Sequence, residues 1–573
     1  MPTKETIHKN DNSQTFELRK LRLLQNTAGI ADWDDPKTDV YGNCAIAALA
    51  LGNQPDQPNA ALRYVAQWFD HPHPTGRDHK GECDFAAMKL CRAYYLFQSS
   101  GLLEAQTFEH IQRFFLTFDF ESMYGSENHH FLFRTSRFLI TSAWPNAIFK
   151  AYGKTGHELA DMDAAWLDTF IRFRARRGWG EFDSTCYIVP DLECLLSLYD
   201  FSPNPEIQHL AGMMLTVRLV DMAVDSLSGM YCGAHGRIYQ RDALDHRDES
   251  SLPLQYLYFG NMPEDWVAKR STLVDVLTSG YRPPQIVLDI ANQRAQPYEN
   301  RERAHLHNVD DVLPVQPLPG SIGKYTYWTP DYVLGAILRQ DAYPADCPGR
   351  WYMHHEQHEW DFSIAGQPDA RIFSHHPGQN GNEHGYWTGD LRCGCGHFLQ
   401  VRNVLLAIYD IPAGEPLQFI HAYFPRAAFD EIIEENDLIA ARKGNVLVAL
   451  RFVNGYHWAT SGDFQERELI SHGARNAVVC EVGLLVDHPS LQAFVTQLTN
   501  NPLEWDPESL HLSYQSQSIG TLTIDAFGRR DLNNQALDLE YPTYGCPYLN
   551  SAWDSGLIEI KYGGDTLRLD FRK

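Results

Sequence analysis

The sequence predicts an α+β multidomain protein, with antiparallel helix pairs in its first half and an antiparallel β-sandwich in its second. Three observations carry this. Apolar residues recur at helical spacing through the first half. A proline-dense stretch at Pro314, Pro317, Pro319 and Gly320 then interrupts the pattern, because proline at that density cannot continue a helix. Beyond it, short β-branched and apolar runs replace the helical ones. Residues 1–312 therefore read as a helical domain and 313–573 as a β domain. A chain of 573 residues exceeds one compact core, which agrees with two or more domains.

Among the helical segments, Asp84–Ser100 carries Phe85, Met88, Tyr95 and Leu96, and Gly101 is placed to end it. Asp163–Arg177 aligns Trp166, Phe170 and Phe173, with a basic last turn before Gly178. Pro205 can open a helix that buries Ile207, Leu210, Met214 and Val217. Strand-like alternation is scarce before about residue 320. After it, Val404–Ile411, Val446–Val453, Val478–Val486 and Ile519–Ala526 read as strands, and Leu557–Tyr562 with Thr566–Phe571 reads as a hairpin around Gly563-Gly564-Asp565.

Composition narrows the partners. A net charge of -25 weighs strongly against nucleic acid, which is bound through an excess of Lys and Arg. It weighs only mildly against an anionic polysaccharide, because a local Arg/His cluster can dominate an acidic surface. No uninterrupted apolar run is long enough to cross a bilayer. The polar N-terminus lacks a secretory h-region, and the eleven cysteines are scattered, so a cytoplasmic location with reduced thiols is expected; a processed form would instead be periplasmic or secreted. Oligomeric state is open, with a homodimer among the options.

Four segments could carry chemistry. In Ser126-Glu127-Asn128-His129-His130, followed by Arg134 and Arg137, an Asn amide can polarise a carboxylate and a His can act as a base; the same run also suits a helix start. Gly178-Trp179-Gly180-Glu181-Phe182-Asp183-Ser184-Thr185-Cys186-Tyr187 sets Trp179, two carboxylates and Tyr187 in a loop, where Asp183 or Ser184 could instead cap the next helix. If Gly233–Tyr239 is extended, alternation puts His235, Arg237 and Tyr239 on one side. The fourth segment is rich in histidine, including His354, His355, His358, His375, His376, His384 and His397, with Cys393 and Cys395 among them. A structural zinc or calcium ion could be held there, with His375, Cys393, Cys395 and His397 as ligand candidates, although the spacing matches no standard zinc signature. Phosphate-loop, dinucleotide, nucleophile-elbow and His-Glu-x-x-His motifs are absent from the sequence.

These segments, together with Tyr325–Tyr332, His375–Gly378 and Tyr386-Trp387-Thr388-Gly389, resemble the heparinase II/III-like and alginate-lyase-like enzymes. The resemblance implies an incomplete (α/α) toroid followed by an antiparallel β-sandwich, and a lyase that cleaves uronate-containing glycans by β-elimination without a cofactor. It implies Asn128 as neutraliser of the uronate carboxylate, His129 or His235 assisting, and Tyr239 as general base and acid. Arg134 or Arg237 would grip a carboxylate, with Trp179, Tyr187 and Trp387 lining the substrate and His376 or His384 facing it across the cleft. The family's usual Asn-Asn-His is Glu127-Asn128-His129 here. With Glu181 and Asp183, that makes three acidic groups, which also fits a glycoside hydrolase using Glu181 and Asp183 as its acid/base pair. A non-catalytic glycan-binding protein is the third reading.

Overall fold

The computed structural model describes residues 4–67, 82–119, 126–268, 270–305, 321–340, 357–377, 386–387 and 394–572. The proline-dense stretch, His354, His355, His384 and Cys393 lie outside them. Among the described residues, nine α-helices open the chain: α1 (Lys4–Ala28), α2 (Asn43–Ala50), α3 (Asp56–Ala66), α4 (Cys83–Phe97), α5 (Ala105–Thr117), α6 (Glu127–Ala143), α7 (Gly156–Arg177), α8 (Ile188–Phe201) and α9 (Pro205–Asp225). α6 packs on α4, α7 and α8, and α9 on α7 and α8. α1 packs on α2 and on two later helices, Leu252–Tyr258 and Val274–Thr278.

The helix ends follow from local chemistry. Thr155 and Glu158 form a reciprocal capping box that starts α7, and Arg174, Arg176 and Arg177 fill its last turn, where the dipole favours cations. Asn204 accepts hydrogen bonds from Glu206 N and Ile207 N, and Pro205 occupies the first turn of α9. Neither Asp183 nor Ser184 is the N-cap of α8; that position is Tyr187, whose amide donates to Ser184 Oγ at 2.9 Å. By length and composition α9 could cross a membrane, but 83% of that stretch is buried inside the fold.

From Tyr298 onward antiparallel sheet dominates, with one helix at Leu491–Asn500. Among the described residues, twelve strands form one sheet, and Tyr298–His305, Ser321–Trp328, Tyr332–Gln340 and Trp360–Ile364 are consecutive neighbours within it. Six strands, among them Val404–Asp410, Val446–Phe452 and Arg475–Leu484, form a second. One core joins the two sheets, with Leu334, Trp360 and Phe373 meeting Leu405, Ala407 and Tyr409. The alternate residues Val404, Leu406 and Ile408 face outward into a third core against a five-stranded sheet. Burial on both faces explains why this run is apolar throughout.

Two differences from the sequence reading have physical causes. Tyr298–His305 is a strand well before residue 320. Its buried positions include Asn300 and Glu302, so apolar alternation is missing. In the C-terminal hairpin Tyr562 pairs with Asp565, leaving only Gly563 and Gly564 in the turn. Both have positive φ, 56° and 98°, as a two-residue type I′ turn requires.

Candidate functional site

Three segments distant in sequence meet at one place. Ser126 is the N-cap of α6, which sets Glu127, Asn128 and His129 in the first turn. The loop after α7 brings Glu181, and the strand His235–Arg237 brings Arg237 and then Tyr239. The two loops run backbone to backbone, with Gly236 N donating to Phe182 O at 2.6 Å. A Cβ at residue 236 would lie 2.8 Å from both Phe182 N and Phe182 O, so only glycine fits. Gly236→Ala is expected to push the loops apart, separating Arg237 and Tyr239 from Glu181. A displacement near 1 Å costs an enzyme about 10²-fold, which kcat/KM on any substrate the chain turns over would read. Unchanged kcat/KM would show that this contact does not position the site.

Polar contacts link the three segments. Asn128 Nδ2 donates to both Glu181 oxygens, at 3.0 and 2.9 Å. Arg237 reaches Glu181 Oε1 at 3.3 Å and the Tyr239 hydroxyl at 3.1 Å. The Tyr239 hydroxyl also meets that of Tyr187, and the Arg237 guanidinium lies 4.4 Å from the centre of the Tyr187 ring. Burial raises the Tyr187 pKa well above the ordinary tyrosine value, with Arg237 opposing, so Tyr187 keeps its proton and donates. Beneath the site, Glu127 pairs with Arg174 at 2.5 Å and accepts the Glu181 amide at 3.0 Å.

His129 Nδ1 bonds the fully buried Asp84 carboxylate of α4. Burial alone would lower the His129 pKa; the Asp84 charge and hydrogen bond outweigh it, and the net shift is upward. His129 is also close enough to feel the charges of Glu181 and Arg237. Asp84 was not singled out in the sequence, where it is one more acidic residue in a first helical turn.

Several expected site residues are buried or held by other partners. Asn128 is buried and its amide donors are held by Glu181, so it is not free to neutralise a substrate carboxylate. His235 is fully buried, donates from Nδ1 to Asp183 O at 2.7 Å, and burial holds its pKa well below the ordinary histidine value, so it is an interior neutral imidazole. Asp183 is sealed against Lys324 and receives the Tyr231 hydroxyl at 2.6 Å, which separates it from Glu181 as an acid/base partner. Trp179 is a core residue, packed against Phe131 and Phe170 under the Arg218 guanidinium. Arg134 binds Asp163 at 2.9 Å, beside Arg137 on the same carboxylate. His376 is buried and donates to Leu417 O at 2.8 Å, and Trp387 is buried flat on His421 with centroids 3.8 Å apart.

Among the described residues, His375, Cys395 and His397 form no group close enough to share an ion. His375 is buried with Nδ1 3.5 Å from Glu359 Oε2, Cys395 is buried, and His397 is lowered to about 4 by burial and the nearby Arg530. Among the described residues the one group of possible ligand atoms close enough to share an ion is Asp183, Asp225 and Glu302. The Lys324 Nζ touches all three carboxylates and fills the space between them.

No protein-family model and no curated protein sequence matches the chain. Among solved structures, chondroitinase AC lyase in oligosaccharide complexes matches with a TM-score of 0.37 and 8% sequence identity, covering 90% of this chain and 82% of that one. A likeness at this level leaves function to the site itself.

Proposed function

We propose that this protein is a polysaccharide or oligosaccharide lyase that cleaves uronate-containing glycans by β-elimination, on an incomplete (α/α) toroid joined to an antiparallel β-sandwich. One observation carries the reading: the half-buried Tyr239 hydroxyl lies between the Arg237 guanidinium and the Tyr187 hydroxyl, with the His129–Asp84 pair nearby. A C5 proton beside an ionised carboxylate is barely acidic, so its removal needs the carboxylate charge offset in the transition state. Arg237 and a protonated His129 supply that offset, while Asn128 holds Glu181 in place behind them. Tyr239, as phenolate, takes the C5 proton and returns it to the leaving glycosidic oxygen. Arg237 and Tyr187 stabilise the phenolate charge. The hydrolase reading weakens because Asp183, the second carboxylate it requires, faces the interior.

The test is incubation with a panel of uronate-containing glycans, following the ultraviolet absorbance of a conjugated C4–C5 double bond and, in parallel, reducing-end release. A rise in both supports the lyase. Reducing ends without absorbance overturn it in favour of hydrolysis, and saturable binding with no product in favour of a glycan-binding protein.

The pH profile gives a second check. Because Asp84 raises the His129 pKa, the imidazolium persists to higher pH than an ordinary histidine. Asp84→Asn removes that support, so the alkaline limb of kcat/KM is expected to move to lower pH. A limb that stays in place would exclude His129 as a required cation.

A further inference from the structure

We propose that Lys324 and Asp183 become joined by an intramolecular isopeptide bond. The two residues lie in a sealed cluster where the loop after α7 and the end of α9 meet the twelve-stranded sheet. Lys324 is on the strand Ser321–Trp328, and Glu302 is its direct cross-strand partner. The Lys324 amine touches one oxygen of Asp183 and lies 2.5 Å from Asp225 Oδ2 and 2.6 Å from Glu302 Oε2. Asn300 Nδ2 donates to Asp225 at 3.0 Å and to Glu302 at 2.8 Å. Asp183, Asp225, Glu302 and Lys324 are all buried, and none has a role in the proposed β-elimination.

The charges explain why condensation is favoured here. Three carboxylates around one ammonium leave an excess of negative charge in an interior where each uncompensated charge is costly. Proton redistribution relieves it. Burial lowers the Lys324 pKa well below the ordinary lysine value, and burial raises that of Asp225 to about 7 and that of Glu302 well above the ordinary carboxylate value. A neutral amine is thus held against a carboxyl group away from bulk water, with a proton acceptor and a proton donor in contact.

The atoms balance without a co-reactant. The Lys324 Nζ lone pair attacks Asp183 Cγ, and an Nζ–Cγ bond forms. The Tyr231 hydroxyl, 2.6 Å from Asp183 Oδ1, stabilises the charge on that oxygen. Glu302 takes a proton from Nζ. The Cγ–Oδ2 bond breaks, and Oδ2 leaves as water after receiving two protons, the one that Glu302 took from Nζ and one held by Asp225. The product amide keeps Oδ1 as an acceptor for Tyr231. It ties the loop carrying Glu181 and Tyr187 to the sheet across 141 residues of chain.

The test is the intact mass of the full chain in denaturant, followed by tandem mass spectrometry of a proteolytic digest. The expected mass is one water below the sequence mass, with a branched peptide joining the Lys324 and Asp183 segments. A full sequence mass, or a lost water mapped to another position, overturns the proposal. Glu302→Gln is expected to restore the full mass, and a variant that is still linked overturns Glu302 as the proton acceptor. If that variant does not fold, the wild-type mass decides alone.

Discussion

Tyr239→Phe is expected to lower kcat by about 10³-fold on whichever glycan the wild-type chain turns over, with little change in thermal stability. General acid–base groups contribute about 10²–10⁴-fold, and this hydroxyl is asked to serve twice, first as base and then as acid. The ring is half-buried, and the hydroxyl bonds Arg237 and Tyr187 rather than closing a core contact. Removing it leaves Arg237 in contact with Glu181 and stacked on Tyr187, so no buried charge is orphaned. The measurement is initial rate by double-bond absorbance beside a melting curve. Near-normal turnover in a folded variant would end the assignment of Tyr239. A large loss of both activity and melting temperature would assign it a structural role instead.

Long, periodic elements were the legible part of this fold. The stripe ending before Gly101 predicts α4, and Pro205 marks the start of α9. The run at Val404 becomes a strand because both of its faces are buried. The strand Tyr298–His305 was not legible, because its inward residues include Asn300 and Glu302, which bind Lys324 and Asp225 instead of packing in oil-like surroundings. The site shows the same division. Glu127–His129, Glu181–Tyr187 and Arg237–Tyr239 stand out by residue type, and they do meet. Which of them are sealed and which stay half-buried is set by partners far away in the chain. Asp84 contacts His129 across 45 residues and Lys324 contacts Asp183 across 141, spacings that leave no local pattern. Trp179, placed by its glycine neighbours as a sugar platform, is claimed by Arg218 and two phenylalanines.

Arg174→Met is expected to destabilise the fold by about 3–5 kcal/mol near neutral pH, the range for leaving a buried charge without its partner. Arg174 is fully buried, pairs with Glu127 at 2.5 Å, and donates to Gly178 O and His305 O at 3.2 and 2.9 Å. Burial raises the Glu127 pKa above the ordinary glutamate value; Arg174 pulls it down and Glu181 pushes it up. Without Arg174 it rises further. Between the unfolded and folded values the folded state then binds a proton that the unfolded chain lacks, so stability falls as pH rises through that window and recovers as pH falls. Urea unfolding at about pH 7 and about pH 5 should therefore show a smaller deficit at the lower pH. Adding Glu127→Gln should reduce that pH dependence; the buried Asp191, which Arg174 also pulls down, stays beside it. An equal deficit at both pH values would mean that the loss comes from the two backbone carbonyls and not from Glu127. Glu127 also accepts the Glu181 amide, so the same variant should loosen the loop that carries Glu181 and reduce kcat/KM before it unfolds the chain.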